Sequence, residues 1–293
     1  MTDDPFIAHR NLLFTVAYEM LGSRADAEDV LQEAWLRWTD VDQGEVRDPR
    51  AYLIRVVTRQ ALNQLRTVSR RREQYVGEWL PEPVLTSPDV AEDVELAESV
   101  SIAMLTVLET LGPTERAVFV LREVFDLSYG EIGEATGKQE PTVRQIARRA
   151  RDHVAARRPR ARVSRSEQQA VVERLLDAMR TGQVQELMDL MAPDVVLIAD
   201  GGGLVRAALA PVHGAAAVAK FLARAGQLPV AVGTAAVWLN GAPAGRIEFD
   251  GQLGATVSLA VDGTRITRIY VMRNPRKLAR LDQTAELAIR SRC

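Results

Sequence analysis

The chain has 293 residues, 47% hydrophobic, 26% charged and only 5% aromatic, ample for buried cores but long for a single one, so two or three domains are expected. No run of about 18 apolar residues occurs and the N-terminus is acidic and polar, which argues against a membrane span or secretory signal and for a cytoplasmic protein; one cysteine, Cys293, and three scattered histidines exclude a disulfide framework and give no reason to expect a metal or other cofactor. The net charge of -2 hides a segmental pattern, for residues 73–99 carry eight acids and no base while residues 138–163 carry nine bases against two acids, a run that suits phosphate neutralisation or a solvated helix face.

Apolar residues recur at three- and four-residue spacing in residues 6–21 and again in residues 25–38, which predicts two helices. A third begins at Asp48-Pro49, with proline in its first turn, and runs to residue 72. Its exposed Arg55, Arg59, Arg66, Arg70, Arg71 and Arg72 favour the helix C-terminal dipole or a polyanion. Residues 73–99, with three prolines among the acids, read as a linker unable to build its own core.

Within residues 127–157 the run LSYGEIGEATGKQEPTVRQIARRARDHVAAR predicts a helix-turn-helix. Ser128 and Glu131 form a capping box, Gly137 suits a left-handed helix end, and Pro141 opens a second helix. That helix has an apolar seam of Val143, Ile146, Ala147, Ala150 and Val154. Opposite lie Thr142, Arg144, Gln145, Arg148, Arg149 and Arg151, the side chains a major-groove reader needs. A helical hairpin solubilised by arginines is the competing reading. Pro159 is expected to end this helix and Ser164 or Ser166 to cap the next.

Beyond residue 164 the pattern changes. Residues 167–180, 184–191 and 214–225 read as helices. The runs 230–239, 245–249, 255–261 and 266–272 read as strands, joined by Asn240-Gly241, Asp250-Gly251 and Asp262-Gly263 turns. Helices followed by a meander predict an α+β domain whose curved sheet wraps a helix around a pocket.

DAEDVLQEAWLRW (residues 26–38) and LGPTERAVFVLREVFDLSYGEIGEATGKQEPTVRQIARRAR (residues 111–151), separated by an acidic linker, resemble regions 2.2 and 4 of bacterial sigma-70-type factors of the extracytoplasmic-function group. With a C-terminal part similar to the SnoaL-like, NTF2-like cone, the likeness is to the SigJ-like subgroup and covers nearly the whole chain. It implies two all-α sigma domains, residues 1–72 and 100–163, joined by an acidic linker at 73–99 and followed by an α+β cone at 164–293.

By this resemblance Asp26, Glu28, Asp29, Gln32 and Glu33 dock on the beta-prime coiled coil of core RNA polymerase, and residues 111–125 pack and meet the beta flap. The loop 39–48 and the helix 52–72 open and read the -10 promoter element, with Arg55, Arg59, Arg66 and Arg70 on DNA. Asn63 departs from an acidic residue common there. Glu140, Pro141, Thr142, Arg144, Gln145, Arg148, Arg149 and Arg151 lie at the -35 element, whereas Ile146 stays in the apolar seam. Three short motifs recur at the interdomain contacts of this subgroup: Trp79, Leu80, Pro81, Glu82 and Pro83; Asp200, Gly201, Gly202 and Gly203; and Asn274, Pro275, Arg276, Lys277 and Leu278. The expected function is promoter recognition and transcription initiation, modulated by the C-terminal domain, with no catalysis by the chain itself and a small molecule as a possible occupant of its pocket. Two other readings compete. One is a cyclase or isomerase using Asp200, His213, Arg246, Glu248 and Tyr270. The other is a DNA-binding regulator that acts without polymerase.

Overall fold

Aspartate caps the first helix: Asp4 accepts from Phe6 N at 2.8 Å and Pro5 fills the first helical position of α1 (Pro5–Leu21), which ends at Gly22 with φ 66°. The computed structural model of the protein describes residues 4–72, 74–157, 163–224 and 227–289. Ser23 caps α2 (Arg24–Thr39), and α3 (Pro49–Arg72) starts at proline. One side of each helix is fully buried, with Leu13, Tyr18, Ala34, Trp38, Leu53 and Val57 among the inaccessible residues.

After a proline-rich extended stretch come α4 (Pro88–Glu92) and α5 (Val94–Ser99), then α6 (Ile102–Leu108), α7 (Pro113–Phe119), a π-helical turn at Val120–Val124, α8 (Tyr129–Thr136) and α9 (Glu140–Ala155). The acidic stretch is therefore partly helical and buries Leu80, Val84 and Leu96. It has no core of its own because it borrows its neighbours'. The apolar faces of α1–α3 and α5–α9 merge into one continuous cluster, which also takes in Ala285, Leu287 and Ile289 from the far end of the chain. Helix α9 ends before Pro159, which lies outside the described residues.

The remaining elements are α10 (Arg165–Thr181), α11 (Val184–Asp189), β1 (Met191–Asp200), β2 (Val212–His213), α12 (Ala215–Ala223), β3 (Val232–Leu239), β4 (Ala242–Phe249), β5 (Gln252–Asp262), β6 (Arg265–Met272) and α13 (Pro275–Leu278). Ser164 caps α10 through a capping box with Glu167. The sheet order is β2-β1-β6-β5-β4-β3. Strands β3 to β6 form the expected meander, but no strand is expected from the sequence over β1, whose first residue is read as helical. Instead β1 pairs in parallel with β6, so the sheet is mixed. Pro193 and Asp194 masked the strand pattern, and both fall where the register shifts between Met191 and Val196.

Alternation of side chains along the strands gives the sheet two buried faces. One, with Val257, Leu259, Ile269 and Val271, packs on Val172, Leu175, Leu176, Val218 and Leu222 of α10 and α12. The other, with Ala244, Ala260, Tyr270 and Met272, packs on Leu80, Ile102, Leu278 and Leu281. This is the α+β cone, and its second face is the surface against which the helical part of the chain is mounted.

Candidate functional site

Three surfaces of the helical part carry the side chains that the sequence singled out. On α2, Asp29, Gln32 and Glu33 are exposed, and Leu36, about one turn further along, is 56% exposed. Asp26 instead accepts from Gln64 at 3.0 Å, and Glu28 pairs with Arg10 at 2.9 Å. The N-terminus of this helix is held from outside, because the Glu82 carboxylate accepts from Arg24 N at 2.9 Å and from Ser23 Oγ at 3.1 Å. A carboxylate there satisfies a free N–H and complements the helix dipole. Burial nonetheless raises the Glu82 carboxyl above its ordinary range.

On α3, Arg66 and Asn63 face solvent; the Arg70 side chain lies outside the described residues. Arg55 and Arg59 are engaged. Arg55 Nη1 lies 2.9 Å from the Glu134 carboxylate, and Arg59 Nη2 donates to the Glu134 carbonyl at 2.8 Å. Glu134 sits on α8, so the first helix of the helix-turn-helix covers part of the basic face of α3.

The helix-turn-helix is built as the residues dictate. Ser128 Oγ accepts from Glu131 N and the Glu131 carboxylate accepts from Ser128 N. Gly137 has φ 69°, and at Gly133 a Cβ would stand 2.6 Å from the Lys138 carbonyl, so only glycine lets the turn close. Val143, Ile146, Ala147, Ala150 and Val154 are buried, while Glu140, Pro141, Thr142, Arg144, Gln145, Arg148, Arg149 and Arg151 are exposed. Arg144 pairs with Glu140 and stacks with Arg122 on the Tyr129 ring. Arg151 is held by Glu123 at 2.8 Å, which raises its pKa. This face points to solvent.

The three short motifs converge on one cluster. Asp200, fully buried at the end of β1, accepts from Leu80 N at 3.0 Å, Tyr75 Oη at 2.5 Å and Lys277 Nζ at 2.7 Å. Lys277 also donates to the Leu80 carbonyl at 2.6 Å and lies over the Trp79 ring, 3.1 Å from its centre. Asn274 caps α13 through Arg276 N and donates to Tyr75 Oη at 2.7 Å. Burial, then the bond to Asp200, raises the Tyr75 phenol. Pro81 and Pro83 are buried in the extended stretch. At Gly203, with φ 69°, a Cβ would approach Val76 to 3.0 Å. Residues Tyr75 and Val76, adjacent to the first motif, were not among the expected contacts; an aromatic in an acidic stretch is the only sequence signal they offered.

The residues of the enzymatic reading do not converge. His213 pairs with Val196 on β1, four residues from Asp200, or roughly 13 Å along a strand. His213 is exposed, Arg246 pairs with Glu248 at 2.8 Å, and Tyr270, on the same sheet face as Asp200 by strand register, is buried among Leu80, Ile102 and Leu278, its phenol pushed up to about 12 by burial. The side of the cone where a pocket was expected is occupied by the protein's own side chains, with Leu176 within 2.7 Å of where a Cβ at Gly245 would stand. A groove of about 510 Å³ lies outside the cone, between α5–α6 and β4–β5.

Residues 6–71 match the model of Sigma-70 region 2 and residues 101–154 that of Sigma-70, region 4. The chain is 41% identical over 223 residues to ECF RNA polymerase sigma factor SigJ of Mycobacterium tuberculosis, covering 74% of this chain and 70% of that one. It is 34% identical over 275 residues to the probable ECF RNA polymerase sigma factor SigI of the same species, covering 92% of each. The crystal structure of the M. tuberculosis SigJ superposes with a TM-score of 0.75 at 33% identity, over 94% of this chain and 97% of that one.

Proposed function

Since the chain belongs to the extracytoplasmic-function sigma factors of RNA polymerase, we propose that its C-terminal α+β domain controls promoter recognition by holding the two sigma units closed. In this reading residues 1–72 and 100–163 read the promoter, residues 73–99 connect them and residues 164–293 regulate. Asp29, Gln32 and Glu33 meet the polymerase coiled coil, Arg55, Arg59 and Arg66 the -10 element, and Thr142, Arg144, Gln145 and Arg148 the -35 element. The protein works in the cytoplasm on promoter DNA, and polymerase performs the chemistry.

The observation that carries this reading is the buried Asp200–Lys277 pair, which is also hydrogen-bonded to the Leu80 backbone and to Tyr75 of the connector. Through it the sheet clamps the stretch that joins the two sigma units. Promoter engagement needs the units apart, and anything that binds the open arrangement better than the closed one shifts the population. Core polymerase is such a ligand in this reading: exposed α2 gives it a foothold while the units are closed, and its second contact, through the largely buried residues 111–125, is completed only in the open arrangement. The cone contributes no turnover, as its interior side chains leave Asp200 and His213 apart.

Reconstitution with core RNA polymerase tests this. The full chain and a chain ending at residue 162 are compared for promoter opening and RNA synthesis. A difference in occupancy or opening is expected, and identical behaviour would remove the regulatory role.

A further inference from the structure

Asn-Gly tips of hairpins normally stand in solvent, as loops do, yet Asn240 between β3 and β4 is fully buried. Its N–H donates to the Val84 carbonyl at 3.0 Å and its Oδ1 accepts from Val84 N at 3.1 Å. Its Nδ2 donates to Tyr18 Oη at 2.7 Å and to the Val100 carbonyl at 2.8 Å. One side chain thus joins α1, the connector and the α5–α6 junction. Gly241 N donates to Thr86 Oγ1 at 3.1 Å. A Cβ at Gly241 would stand 2.8 Å from Ala97 Cα, and its φ is +70°, so glycine alone admits this approach. Tyr18 carries the connection onward by donating to the Glu82 carbonyl at 2.7 Å, and the Glu82 carboxylate caps α2.

We propose that the Asn240–Gly241 tip is a latch through which the C-terminal sheet fixes α1 and α2 against the region 4 helices, separate from the Asp200–Lys277 cluster. This rests on the regulatory reading above. A seated tip satisfies the Tyr18 hydroxyl, the Val84 peptide and the Val100 carbonyl together. A partly withdrawn tip strands them without partners, which is costly when buried, so the latch is either seated or fully released to water.

The full chain, with Cys293→Ser and labels at exposed positions 37 and 152 on α2 and α9, reports the separation of the sigma units. Asn240→Gly keeps the positive-φ turn and deletes only the amide side chain. It should raise the open fraction on the order of tenfold, and Tyr18→Phe should add less in that background than in the wild type. Asp250→Gly, at the exposed β4–β5 tip, is the matched control and should leave the separation unchanged. The latch is overturned if Asn240→Gly leaves the distances unaltered while removal of residues 163–293 changes them, or if Asp250→Gly opens the chain equally. If removal of the domain changes nothing either, the regulatory reading fails with it.

Discussion

Lys277 Nζ lies 2.7 Å from Asp200 Oδ2, with side chains 8% and 0% exposed. A buried pair of this kind is poorly replaceable from one side, because the remaining charge keeps its desolvation penalty and loses its partner. Lys277→Met is expected to destabilise the full chain by about 3–5 kcal/mol. The double variant with Asp200→Asn should recover a large part, since it removes the stranded charge. Urea unfolding midpoints of the four chains check this; additive losses would show that the two groups act independently.

Glu134 engages Arg55 by its carboxylate but Arg59 only by its carbonyl. The ion pair is exposed, so its contribution is at most about 1 kcal/mol. Glu134→Ala should therefore increase binding of a single-stranded -10 oligonucleotide to the reconstituted holoenzyme by a few-fold, more at low salt than at high. Binding of a -35 duplex should not change, and a change there instead would place Glu134 in the wrong role.

Glu19 on α1 is buried beside Arg116 of α7. Its Oε1 accepts from Ser99 at 2.8 Å, and its carbonyl accepts from Arg116 Nε at 2.9 Å. Burial pushes its carboxyl from 4.5 up to about 8, against the lowering effects of Ser99 and Arg116. The folded chain then keeps a proton that the unfolded chain has released. Stability from this group is full below about pH 4.5 and is lost as pH rises through about 8. Arg116, lowered by burial to about 9, titrates outside that window, and the raised Glu82 acts in the same direction as Glu19. Thermal melting should show stability falling between pH 5 and 8. Glu19→Gln should flatten the profile and lose nothing at pH 8, whereas an unchanged slope would assign the effect elsewhere.

Exposed Gln145 and Arg148 of α9 have different expected roles on duplex DNA. Gln145→Ala should cost about 1–3 kcal/mol and relax preference at one base pair. Arg148→Ala should weaken all sequences alike and reduce the salt slope by about one. Holoenzyme titrations on -35 variants at several salt concentrations separate the two; equal effects on every sequence from both would make Gln145 a backbone contact.

Much of this was legible from the chain alone, because it depends on local rules. The α9 seam of Val143, Ile146, Ala147 and Ala150, the Ser128–Glu131 capping box and the Gly137 helix end are each set within a few residues, and the three hairpin turns of the cone likewise. Three motifs marked Asp200, Leu80 and Lys277 as residues to watch. What the linear order could not decide was how the parts meet. The acidic stretch has too little apolar material to fold alone, so its conformation came entirely from the surfaces it lies between. Asn240 read only as a turn residue, since burial of a hairpin tip is imposed by Tyr18 and Val100, each more than a hundred positions away. Strand β1 escaped notice because its parallel partner β6 is some 70 residues downstream, and Glu134 became a partner of Arg55 only because helices α3 and α8 share one core. Secondary structure follows from periodicity and capping; long-range pairing follows from which buried donors, acceptors and charges can satisfy one another, and that is settled only in three dimensions.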